Sequence, residues 1–143
     1  MPADAVDEDD AAVGADDSAG RWPRKFGHAF RGMWRAVRSE DSFAVHLPAA
    51  LLVIVVAAWL GIPGRDWALL LAAIGSVLVA ELVNTAIESL ARALGPRRHP
   101  RIRDALDVSS AAVLLAAAFA VVVGLLVLGP PLWGALAAAV AGR

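Results

Sequence analysis

Three apolar stretches decide what this chain can fold into: Phe43 to Leu60, Trp67 to about Leu90, and Val108 to Leu128. Each has about the 20 residues that a helix needs to cross a hydrocarbon core of about 30 Å. At 59% hydrophobic over 143 residues, the chain is too apolar for an ordinary soluble domain and reads as a small integral membrane protein. Gly61-Ile62-Pro63-Gly64 supplies a tight turn between the first two spans. Gly129-Pro130-Pro131 is expected to end the third. Leu132 to Gly142 has about half the length of a span, which predicts an interfacial segment or loose tail.

The N-terminal region is divided by charge. Residues 1 to 20 hold Asp4, Asp7, Glu8, Asp9, Asp10, Asp16 and Asp17 without a base or an aromatic, the composition of a disordered acidic tail. They also lack the basic start and apolar core of a signal peptide, so the first span is expected to direct insertion. From Pro23 to Arg38 the pattern is that of an amphipathic helix. Trp22, Phe26, Phe30, Met33, Trp34 and Val37 fall within about 120° of arc, with Arg21, Arg24, Lys25, His28, Arg31, Arg35 and Arg38 on the other side. Such a helix lies in the headgroup plane, and its cations either anchor it to anionic lipid or reach a nucleotide phosphate. Arg21 and Arg31 are the candidates for the second role. The turn between the first two spans carries Arg65, whereas Arg92, Arg97, Arg98, Arg101 and Arg103 separate the second from the third. The positive-inside rule therefore puts the N-terminus and the second loop in the cytoplasm. The fold class that follows is an all-α membrane protein, an N-terminal surface helix followed by three transmembrane helices. The formal net charge of −1 conceals this segregation and says little about partners; no nucleic-acid partner is expected. The absence of cysteine excludes a disulfide framework and thiolate metal sites.

Polar residues inside the spans are expensive and mark functional sites. Glu81, Asn84 and Glu88 share a stripe about 60° wide on the second span. The two acids are about 10.5 Å apart along the axis, too far to chelate one ion together. Glu88 lies near the cytoplasmic edge, where Glu40 arrives from the first span, and the two are expected to converge on Mg²⁺. Glu81 is deeper, where scarce water suits a general base, and Asn84 can position either acid. Asp107, with Ser109 and Ser110, opens the third span at the same interface, as a helix-start residue or as part of the site. His46 and His99 read as interfacial or structural. Walker, nucleophile-elbow and HExxH sequences are absent.

The octet Glu81-Leu-Val-Asn84-Thr-Ala-Ile-Glu88 resembles the signature helix E-x-x-N-[ST]-A-I-E of the small prokaryotic diacylglycerol kinase family. The resemblance extends to Phe26-Gly-His28-Ala-Phe-Arg31-Gly32-Met-Trp34, to Glu40-Asp-Ser-Phe43 with His46, to His99-Pro100, and to Asp107-Val-Ser-Ser110-Ala111-Ala112-Val113. It covers roughly residues 21 to 130, implying a three-span lipid kinase domain there and an apolar C-terminal tail over 131 to 143. The His28-Ala-Phe-Arg31-Gly32 start and His46 look more like the undecaprenol kinase members. The resemblance implies a homotrimer in the bacterial inner membrane, with active sites shared between subunits and the ATP γ-phosphoryl transferred to a lipid alcohol. By matching positions, Glu40 and Glu88 would bind Mg²⁺, Glu81 would activate the hydroxyl, Asn84 would orient groups beside it, and Asp107 would belong to the nucleotide site.

One position departs from that pattern. The family usually has Lys before the acid of the third span, and this chain has Leu106. Arg103, four residues before Asp107, would share its helical face and act as a substitute cation if the helix begins early enough. Two other readings compete with the kinase: a small membrane transporter or proton-relay subunit, since buried acids mark ion pathways, and a catalytically impaired member of the family.

Overall fold

The computed structural model describes residues 21–95 and 99–142. The expected acidic tail over residues 1 to 20 and the loop residues 96–98 lie outside them. Four helices follow in chain order: α1 (Arg21–Ser39), α2 (Asp41–Leu60), α3 (Gly64–Ala93) and α4 (Pro100–Ala141). The chain divides into two units, Met1–Arg35 and Ala36–Arg143. In the first, Trp22, Phe26 and Phe30 are exposed, and the Lys25 ammonium sits 5.2 Å from the Trp22 ring centroid.

The second unit contains three helices long and apolar enough to cross a membrane. The α2–α3 turn is set by Gly61, whose φ of 62° is left-handed, the region that costs glycine least. Gly61 N–H donates to the Ala58 carbonyl and Ile62 N–H to that of Ala57, the two bonds of a Schellman motif. Ile62 then packs with Ala57, Leu70 and Leu128, so the turn is fastened to α4 by a small apolar cluster. At the opposite end, His99 caps α4 and Pro100 occupies its first turn, where the missing N–H costs no helical bond.

α3 and α4 form the principal antiparallel pair, and α2 packs more lightly against both. Leu70, Val77, Glu81 and Thr85 are buried at seven- and four-residue spacings along one face of α3. The acid thus stands where an apolar core residue belongs by pattern. Many large apolar side chains face outward, among them Leu51, Leu114, Phe119 and Leu126, as expected of helices whose surroundings are hydrocarbon.

Two boundaries differ from the sequence expectation. α4 begins at Pro100, so Asp107 is its eighth residue, two turns in, and is not a helix-start residue. α4 also does not end at Gly129-Pro130-Pro131; it continues to Ala141 as one helix of 42 residues, about 63 Å long. The two prolines deprive the Leu126 and Val127 carbonyls of their usual partners without preventing helical φ, which proline already favours. The Ala- and Leu-rich run that follows has high helix propensity, and it carries the helix on.

Candidate functional site

Toward the end remote from the Gly61 turn, two hydrogen-bonded groups of polar residues form, Glu81 with His46 and Asn84 with Ser109, Glu88, Arg92 and Glu40. Glu81 is the deepest, 2% exposed and the largest fully buried side chain among the described residues. Its Oε1 lies 2.9 Å from Nε2 of His46, which α2 presents from its second turn. An uncompensated carboxylate at this depth would be costly, and the imidazole supplies the partner that makes it tolerable. No buried side-chain nitrogen or oxygen among the described residues lacks a hydrogen-bond partner.

One turn along α3, Asn84 donates from Nδ2 to Glu88 Oε1 at 3.1 Å. Its Oδ1 accepts from Ser109 Oγ of α4 at 2.7 Å. That hydroxyl is also 2.9 Å from the Leu106 carbonyl, and with one proton it serves one acceptor at a time. Asn84 is thereby held from both sides, its amide orientation fixed by a donor on α4 and an acceptor on α3.

At the outer edge, Arg92 joins the two remaining acids. It donates from NH1 to Glu88 Oε2 at 3.3 Å and from NH2 to Glu40 Oε1 at 3.1 Å. Glu40 is the N-cap residue of α2, yet its side chain makes no capping bond, which leaves the carboxylate available to α3. Glu40 and Glu88 are thereby joined through one guanidinium. Among the described residues no group of three acids or histidines could hold a metal ion. Two hard carboxylates that share a cation nevertheless fit Mg²⁺, which commonly takes one or two protein carboxylates and completes its shell from phosphates and water.

The other expected residues lie apart from these groups. Asp107 and Arg103 are exposed on α4, and Asp107 is about 200° round the helix from Ser109, so it turns away from α3. The early start of α4 does put Arg103 and Asp107 on one face. No ion pair joins them among the described residues. Arg31 belongs to the first unit, where NH2 contacts His28 Nδ1 at 2.8 Å. The side chain of Arg21 lies outside the described residues.

Sequence reasoning missed His46 as the partner of Glu81 and Arg92 as the bridge. The second was within reach, since Arg92 stands four residues after Glu88 on one helix face. The first required the α2–α3 register.

Below His46 an apolar groove of about 450 Å³ runs between the three helices toward Leu132. Small residues line it on every side, including Ala49, Ala73, Ala117 and Gly124. The arrangement thus combines a buried carboxylate, an apolar groove that reaches its partner His46, and a half-exposed cluster of two acids and one base.

The family described as prokaryotic diacylglycerol kinase matches residues 27–128. The undecaprenol kinase of Bacillus subtilis (strain 168) is 32% identical over 112 residues, covering 78% of this chain and 91% of that protein. The diacylglycerol kinase of Escherichia coli (strain K12) is 33% identical over 96 residues, covering 67% and 79%. That of Synechocystis is 35% identical over 108 residues, covering 75% and 62%.

Proposed function

Since the chain belongs to the prokaryotic diacylglycerol kinase family and is an ATP-dependent lipid kinase, we propose that its preferred acceptor is a single-chain membrane alcohol of the undecaprenol type, ahead of diacylglycerol. The observation that carries this reading is the placement of Glu81 beside His46 at the head of one continuous apolar groove. A hydrocarbon chain lying in that groove brings its terminal hydroxyl to a carboxylate, and one channel suits one chain better than two.

Glu81 takes the hydroxyl proton as the lipid oxygen attacks the γ-phosphorus, and the bond to the β–γ bridging oxygen breaks to release ADP. His46 occupies Oε1, so Oε2 receives the proton. Asn84 holds Glu88 in a fixed orientation one turn away. Glu40 and Glu88 would hold a Mg²⁺ ion, which when bound neutralises phosphate charge. Within this arrangement the protein's contribution is positioning and electrostatics, the two terms that dominate phosphoryl transfer.

Asp107 and Arg103 serve the nucleotide. Their place on the α4 face opposite Ser109 supports a site completed by a neighbouring subunit, in a homotrimer of the bacterial inner membrane. The basic segments around α1 and before α4 favour a cytoplasmic N-terminus, with the exposed aromatic side chains of α1 in the headgroup plane. Purified protein supplied with ATP, Mg²⁺ and each lipid in parallel tests the acceptor. A faster rate with diacylglycerol would reverse the substrate order, and transfer to neither lipid would leave the transporter and impaired-member readings.

A further inference from the structure

Arg92 is held unlike an ordinary surface arginine. Its NH2 donates to Glu40 Oε1 and, at 3.3 Å, to Ser89 Oγ, while NH1 donates to Glu88 Oε2. Guanidinium has five N–H donors; Nε and the second hydrogen of NH1 have no acceptor among the described residues. The side chain is 48% exposed. A cation has therefore been fixed in place by two acids on different helices while keeping donors and surface for something else.

The level at which it is fixed matters. Ser109 Oγ donates to Asn84 Oδ1, so α3 at Asn84 faces α4 at Ser109. The helices are antiparallel. One turn beyond Asn84 comes Glu88 and one turn before Ser109 come Ala105 and Leu106, so the guanidinium on Glu88 Oε2 stands near the height of two aliphatic residues of α4, with Asp107 turned away from α3. Arginine also leans toward the N-terminus of its own helix, which carries its charge inward from the Cα of residue 92.

The geometry points to Arg92 as a nucleotide-phosphate ligand, a guanidinium that exchanges one or both carboxylates for the β- and γ-phosphate oxygens when a nucleoside triphosphate arrives. The exchange balances charge. Glu40 and Glu88 restrain the cation in the free protein and would release it on holding a divalent ion. A planar fork presents paired N–H donors to phosphate oxygens, which lysine cannot reproduce. This inference rests on the kinase reading and assigns it a residue that neither the octet nor the Arg103–Asp107 face supplies.

The test is nucleotide binding to the full-length protein without lipid, measured by calorimetry in EDTA and again in Mg²⁺, with ATP, ADP and AMP. Arg92→Gln is expected to weaken ATP and ADP about tenfold and AMP less than twofold. Arg92→Lys should lose at least threefold for ATP. Adding Leu106→Lys to Arg92→Gln should recover at least half of the lost affinity, because it returns a cation to the same level from α4. Unchanged ATP affinity in Arg92→Gln, equal loss for AMP, full affinity in Arg92→Lys, or no recovery on adding Leu106→Lys would each overturn the assignment. Wild-type protein that binds no ATP would instead remove the kinase reading itself, so the two failures are distinguishable.

Discussion

His46 Nε2 and Glu81 Oε1 lie 2.9 Å apart, an imidazole from α2 against the most deeply buried acid of α3. The contact leaves one carboxylate oxygen engaged and orients the other. His46 acts here as a positioning residue. His46→Ala is expected to lower kcat about 10- to 100-fold, ~1.4–2.7 kcal/mol of barrier, with the KM for ATP within twofold. His46→Gln keeps an N–H donor and should recover most of that loss. A change in KM alone would contradict the assignment.

Glu81→Gln preserves shape and removes the proton acceptor. Steady-state assays should show kcat reduced by about 10²–10⁴-fold, the usual worth of a general base. ATP binding measured without lipid should match wild type. Retained turnover would take the base role from Glu81.

Ser109 is 7% exposed and fixes Asn84 from α4. Ser109→Ala removes one buried hydrogen bond and should destabilise the protein by about 1 kcal/mol. The loss in kcat should be smaller than that of Asn84→Ala, which severs Glu88 as well. Thermal unfolding and kinetics on the two variants side by side check the order.

The spans, the turn at Gly61 and the stripe holding Glu81, Asn84 and Glu88 were legible because each is local: length, turn chemistry and a 100° step suffice. Pairings between helices were not. That His46 faces Glu81 and Glu40 approaches Glu88 depends on the α2–α3 register, which the Schellman turn and the Ala57–Ile62–Leu70–Leu128 cluster fix only after packing. The helix-start reading of Asp107 gave way for a different reason. Its place beside Ser109 in sequence concealed that the two lie on opposite faces of α4, and the early start at Pro100 was masked by a charged first turn. The run after Pro131 failed on length. It was too short for a span of its own but is the continuation of one already begun.

That continuation has a measurable consequence. Replacing Pro130 and Pro131 together with Ala restores two backbone N–H donors within α4 and should leave kcat within twofold, with a thermal midpoint equal to or above wild type. A large drop in either would mean that the prolines hold a bend on which the site depends.

Gly61→Ala tests the other end of the bundle. A Cβ at φ of 62° costs about 1 kcal/mol. The thermal midpoint should fall while kcat well below it stays unchanged, since the turn is remote from Glu81.

The most direct test of the account is transfer of label from γ-labelled ATP. Purified protein in lipid micelles, with Mg²⁺ and either undecaprenol or diacylglycerol, should yield labelled lipid phosphate, faster with undecaprenol and lost in Glu81→Gln. No labelled lipid from either acceptor, with ATP binding intact, would contradict it.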